Sequence, residues 1–192
     1  MVTLQLKPNK EKSLIRRHPW IFSGALSKIP KNLTPGETVD LVTKDGSWYA
    51  KGAISPASQI SVRVWTFDAN ETIDQTFFHS RIKQASQRRR QLLKGSSTTA
   101  FRLINAESDG LPGLTVDQYN DFLVMQCMST GIEFWKNVIV EQLNHLIPNS
   151  GIFERSDSDV RTKENLKPIK QVLSGQHPPS LVEITEENVK LL

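Results

Sequence analysis

Cysteine is almost missing from this chain. Cys127 alone among 192 residues excludes internal disulfides and any cysteine-cluster metal site. Long apolar runs are missing too. Nothing approaches the roughly 18–20 consecutive apolar residues of a membrane span, and Met1-Val2-Thr3-Leu4-Gln5-Leu6-Lys7 lacks the charged-then-apolar layout of a secretory leader. These absences set the expectation of no membrane partner and a cytoplasmic location. No glycine-rich phosphate or cofactor loop occurs, and the four histidines, His18, His79, His145 and His177, show no ligand spacing. No nucleophile with an accompanying base stands out either, so no catalytic, cofactor or metal residue is assigned.

What is present describes a globular chain. Hydrophobic residues at 38% and charged residues at 23% support a buried core and exclude disorder for the whole chain. The length allows one large domain or two small ones. The charge is distributed unevenly. Residues 1–94 hold 16 Lys+Arg against 7 Asp+Glu, a net of +9, and residues 95–192 hold 8 against 13, a net of −5, which together give the chain's +4. A basic half of this size points to a polyanionic partner, because clustered Lys and Arg gain free energy by releasing counterions from phosphates.

Residues 1–70 read as a small β-barrel. Thr38-Val39-Asp40-Leu41-Val42 alternates, Lys44-Asp45-Gly46-Ser47 is turn chemistry, and Trp48 to Ile54 completes a hairpin. Ile60, Val62 and Val64 alternate as a strand with one face in a core. A short helix over Lys10–His18 ends before Pro19. Residues 71–98 contain a basic helix, with Phe77, Phe78, Ile82, Ala85, Leu92 and Leu93 near one face and Arg81, Lys83, Arg88, Arg89, Arg90 and Lys94 on the others. At 1.5 Å per residue it is expected to act as a strut of about 30 Å between two domains. Residues 99–192 read as an α+β unit in the order strand-strand-helix-strand-strand. Its strands fall at Leu114–Tyr119, Phe122–Cys127, Gly151–Glu154 and Leu181–Ile184, after an opening strand at Phe101–Ile104, with a helical stripe from Ile132 to Leu146. The fold class expected is therefore mixed α/β.

Two acidic groups have local explanations. Glu154, Asp157 and Asp159 are interleaved with Arg155 and Arg161, which reads as a self-paired loop rather than a cation site, and Glu107-Ser108-Asp109-Gly110 reads as a turn. Cys127 sits in an apolar strand and is expected to be a buried structural thiol. The stretch Arg16-Arg17-His18-Pro19-Trp20-Ile21-Phe22 combines cations with aromatic surface, a combination that RNA can use for phosphate contact and stacking. Phe22 is expected in the barrel core. The residues expected to bind RNA are Lys10, Lys12, Arg16, Arg17, His18, Trp20, Arg63, Arg88, Arg89 and Arg90.

The residues His18-Pro19-Trp20-Ile21-Phe22-Ser23-Gly24-Ala25, Gly36 to Val42 and Lys51-Gly52 to Arg63-Val64 resemble the N-terminal PUA domain of class I S-adenosylmethionine-dependent ribosomal RNA methyltransferases. Arg102 to Asp117, with its Asp-Gly-Leu-Pro-Gly-Leu run, and Phe153-Glu154-Arg155-Ser156-Asp157 with Arg161 and Glu164 are similar to that family's central domain. Where the family commonly has glycine after Glu-Asn, this chain has Val189. The resemblance implies an enzyme making 5-methylcytosine in large-subunit ribosomal RNA, with S-adenosylmethionine held by a Rossmann-like domain that is absent from these 192 residues. On that expectation the chain itself has no cofactor, binds ribosomal RNA and positions it, and leaves a homodimer open. The competing reading is a non-catalytic protein-interaction or assembly module.

Overall fold

A computed structural model describes residues 2–192. Strands β1 (Val2–Gln5), β2 (Trp20–Phe22), β3 (Thr38–Val42), β4 (Trp48–Ile54) and β5 (Ile60–Thr66) form one sheet in the order β1-β3-β4-β5-β2. The sheet curls until its edges meet: Leu6 bridges Leu26, the Lys7 N–H donates to Ala25 O and the Ser27 N–H to Gln5 O, both at 2.8 Å. The result is a small barrel. The alternation of β3 places Val39 and Leu41 inside with Leu4, Leu6, Ile21, Ile54, Val62 and Val64. Helix α1 spans only Lys12–Ile15, because Arg17 adopts a left-handed conformation (φ 54°) and its N–H turns back to Leu14 O at 2.8 Å.

The second unit contains helices α2 (Gln75–Leu92) and α3 (Thr130–Leu146) and a five-stranded sheet. Its strands are β6 (Ala100–Asn105), β7 (Leu114–Tyr119), β8 (Phe122–Cys127), β9 (Gly151–Ser156) and β10 (Ile169–Gly175), in the order β10-β9-β8-β7-β6. Pairing is antiparallel except between β8 and β9, where α3 supplies the crossover that parallel neighbours need. Both long helices are capped by side chains that accept backbone N–H groups. Asp74 accepts from Phe77 at 3.0 Å and Ser129 from Ile132 at 3.4 Å.

Three expectations change here. Helix α2 is not a strut: Phe77, Phe78, Ile82 and Ala85 enter the second unit's core beside Ile132, Ile139 and Leu143 of α3. The last sheet strand is β10 rather than Leu181–Ile184, and only Ile184 of that segment is in a strand. It opens a separate hairpin of β11 (Ile184–Glu186) and β12 (Val189–Leu191), turned by Glu187 and Asn188 at φ 45° and 72°. Val189, which stands where the family commonly has glycine, is the first residue of β12 and lies outside the two-residue turn. Finally, β5 is buried on both faces: Val62 and Val64 line the barrel, whereas Trp65, with Ala53 of β4, belongs to the second core. The contact is close enough to require glycine. A Cβ on Gly131, at the start of α3, would lie 2.4 Å from the Ala53 Cβ, and one on Gly36 would lie 2.2 Å from Thr130 O.

Candidate nucleic-acid interface

The residues expected to meet RNA separate into two groups. Lys10, Lys12, Arg16, Arg17 and His18 are exposed and lie together on and beside α1. None of these five side chains makes an ion pair with a described acidic residue. The left-handed Arg17 sits at a helix end where glycine is the usual residue, and its guanidinium lies 5.9 Å from the Phe67 ring centre. His18 is fixed by the Trp20 N–H, which donates to Nδ1 at 3.1 Å. Trp20 is half-buried, with its Nε1–H donating to Glu107 Oε1 at 2.7 Å. That bond ties the barrel to the second unit and leaves little of the indole for stacking.

The other arginines are largely engaged inside the protein. Arg63, only 7% exposed, pairs with buried Glu164 at 2.9 Å, away from the α1 group. Arg89 grips Asp109 with two bonds of 2.9 and 2.6 Å, and Arg88 reaches the same carboxylate at 3.3 Å. Asp109 is buried in the short turn Ala106–Asp109, so Glu107-Ser108-Asp109-Gly110 is an ion-pairing element as well as a turn. Of the triple arginine run, Arg90 alone is exposed without a described ion partner. Arg81 is held by Glu71 at 2.8 and 2.9 Å. Of the residues expected to meet RNA, the cations without an ion pair among the described residues are therefore Lys10, Lys12, Arg16 and Arg17 around α1, together with Arg90.

Beside α1 lies a cleft of about 950 Å³ lined by Arg17, Trp48, Phe67, Asn70, Glu71 and Arg81. Its aromatic walls were not singled out from sequence. Trp48 is oriented by its Nε1–H, which donates to Asp40 Oδ1 at 2.8 Å, and Lys51 closes the adjoining loop by donating to Ala69 O and Glu71 O at 2.7 and 2.8 Å. Trp48 and Phe67 flank the turn and the strand end of residues already read as strands, so only the fold brings them to Arg17. Cations at the mouth of an aromatic cleft suit single-stranded nucleic acid, which offers phosphate and stackable bases together. Phe22, expected in the core, is instead 50% exposed on the opposite side of its strand from Ile21.

A second buried cluster has no catalytic character. Cys127, Glu133 and Glu154 bring possible ligand atoms within 4.8 Å of one another. Lys136 lies between the two carboxylates, 2.5 Å from Glu133 and 3.1 Å from Glu154, and Arg161 donates to Glu133 at 3.1 Å and to the Cys127 carbonyl. Two cations already neutralise this donor set, so it does not fit a metal ion. Burial alone would raise the Glu154 carboxyl, but bonds from Gln171, Ser156 and Lys136 hold it below the usual range. Burial alone would lower Lys136, but Glu133 and Glu154 carry it above its usual value. Burial, reinforced by the Glu154 charge, pushes the Cys127 thiol far up. Asp157, expected in a self-paired loop, is held by Lys170 at 2.7 Å and faces Arg155 at 3.8 Å.

No helix among the described residues is long and apolar enough to cross a membrane. Residues 4–67 match the PUA-like domain family. The chain is 49% identical over 191 residues to the protein named ribosomal RNA large subunit methyltransferase I from Cronobacter sakazakii, covering 100% of this chain and 48% of that protein. It is 47% identical over 189 residues to the protein of the same name from Klebsiella pneumoniae, covering 98% and 47%. The fold is shared with a solved putative SAM-dependent methyltransferase from Streptococcus mutans, at a TM-score of 0.81 and 22% identity over 99% of this chain and 47% of that one. The chain is thus a homologue of proteins named ribosomal RNA large subunit methyltransferase I, spans about half their length, and carries a PUA-like domain at residues 4–67.

Proposed function

We propose that this chain is the RNA-binding, substrate-positioning portion of a SAM-dependent methyltransferase that makes 5-methylcytosine in large-subunit ribosomal RNA. The observation that carries the reading is the group of unpaired cations at α1, set on a PUA-like barrel beside the Trp48–Phe67 cleft. The names of the relatives favour ribosomal RNA as the polyanion. Trp20 and Gly131 support a positioning role, because they lock the barrel to the second unit so that RNA held by one is oriented relative to the other.

S-adenosylmethionine, a nucleotide-like cofactor, is normally held at a glycine-rich strand-loop-helix turn, and no such turn occurs among the described residues.

Filter binding of the 192-residue chain to a large-subunit RNA fragment at several salt concentrations tests the reading. Affinity should fall as salt rises, and Arg16→Glu with Arg17→Glu should weaken binding to all sequences alike and flatten the salt slope by about 2. Affinity no better than millimolar at low salt, or independent of salt, would overturn it. Deleting the encoding gene should remove one 5-methylcytosine from large-subunit RNA, read by nucleoside mass spectrometry; an unchanged content would refute the cytosine-5 assignment.

A further inference from the structure

A second cleft, of about 630 Å³, opens between the barrel and α4 (Val160–Lys163), away from α1 and lined by Phe22, Ile60, Arg63, Val160, Lys163 and Glu164. Phe22 and Val160 are large apolar side chains left 50% and 42% exposed at its walls. At its base Arg63 is more than nine-tenths buried, and among the described residues its guanidinium makes one hydrogen bond, from Nη1 to Glu164 Oε1. The sealed, unpartnered side-chain polar atoms of the described residues belong to Thr38, Trp65 and Trp135. The remaining Arg63 donors are therefore not sealed, and they reach solvent through the cleft that Arg63 lines.

The acid at this site is already used. One Glu164 oxygen accepts from Arg63 and the other from Ser55 Oγ at 2.7 Å, so both oxygens are engaged within the protein and the carboxylate charge is offset by the Arg63 guanidinium. Lys163 at the rim is exposed and makes no ion pair among the described residues. The cleft thus combines an open aromatic face, apolar walls, spare donors on a planar fork and a cation at its edge. An unpaired nucleotide presents the matching features, with a base to stack, acceptors on the base edge and a phosphate. A fork with two spare N–H groups matches the O6 and N7 acceptors of guanine and lacks the acceptor that adenine's amino group requires.

We infer that this cleft is a second RNA subsite that receives an unpaired guanine, stacked on Phe22 and read by Arg63. The inference rests on the RNA-binding reading above and deepens it. It extends the contact from the barrel surface to the junction of the two units.

Fluorescence anisotropy of the full chain with short unpaired RNAs that differ at one base tests it. The guanine-bearing RNA should bind about tenfold tighter than its adenine counterpart. Phe22→Ala should weaken the guanine-bearing RNA roughly tenfold, the loss of one stacked base. Because Phe22 is half exposed, that variant is expected to fold, as circular dichroism will show. Arg63→Lys keeps a cation opposite Glu164 and should abolish the guanine preference while retaining overall RNA binding. Equal binding of the two RNAs, or Phe22→Ala binding both as the wild type does, would overturn the subsite and leave the α1 interface standing. Phe22-dependent binding of an acidic peptide in place of RNA would also overturn it. Failure of the wild type to bind any RNA would overturn both readings.

Discussion

Replacing Glu164 by alanine is expected to be among the most damaging single changes to this fold. Its side chain follows α4, in the second unit, yet it accepts from Arg63 at 2.9 Å and from Ser55 at 2.7 Å, both in the barrel, and faces the Thr130 N–H that opens α3 at 3.5 Å. At 2% exposure Glu164 has almost no water to fall back on, and Arg63, at 7%, meets solvent only through the donors that Glu164 does not engage. Removing the carboxylate leaves a buried guanidinium without its partner, a change that costs about 3–5 kcal/mol. With a urea slope of roughly 2 kcal/mol per molar, the unfolding midpoint should fall by about 2 M.

Equilibrium urea unfolding followed by circular dichroism and by tryptophan fluorescence gives the measurement. The tryptophans lie in both units, and Trp65 and Ala53 of the barrel belong to the second unit's core, so the two signals should move together in wild type. The control is Arg63→Met with Glu164→Leu, which removes both charges at similar volume and should come within about 1 kcal/mol of wild type. A loss below about 1 kcal/mol for Glu164→Ala would show that the pair is effectively solvated. A double variant as unstable as the single one would show that shape, not charge pairing, is what Glu164 supplies.

Two further predictions concern the buried cluster. Because the Glu154 carboxyl is held below its usual value, its contribution to stability is complete above the unfolded carboxyl value of about 4.3 and is lost as pH falls through the lower folded value. The stability gap between wild type and Glu154→Gln should therefore shrink as pH falls from about 5 toward 2. A gap that stays constant across this window would refute the linkage. The raised Lys136 acts at the other end, where its contribution holds below about 10.4 and fades as pH rises through its higher folded value. Cys127, buried and with its thiol pushed far up, should resist a disulfide-exchange reagent at pH 8 in the folded protein and react promptly in denaturant. Reaction of the folded protein at the rate of a free thiol would show that the cluster opens readily.

What was legible in the sequence depended on how local its cause was. The alternation of Thr38–Val42, the Lys44–Ser47 turn, the apolar strand around Cys127 and the stripe of α3 are set by neighbours within a few residues, and each appears where expected, whereas the stripe of α2 is buried only as far as Ala85 and leaves Leu92 81% exposed at the helix end. Strand β10 escaped because it is a mostly exposed edge strand whose polar pattern carries no buried face. Phe22 escaped because the cleft that exposes it is closed by α4, well over a hundred residues later. The charge tally failed for the same reason. It counts cations without seeing their partners, and four of the seven arginines in residues 1–94 are in ion pairs: Arg63, Arg81, Arg88 and Arg89. Three of those four are met by Glu164 or Asp109 from the acidic half, across 101 residues in the case of Arg63. The opposed charges of the two halves therefore meet at Asp109 and Glu164, and the arginines paired there are not available as a surface field. Among the candidates for RNA contact, the cations left without an ion pair among the described residues are those around α1, with Arg90, and Lys163 at the rim of the second cleft, which is a sharper target for mutagenesis than a uniformly basic half.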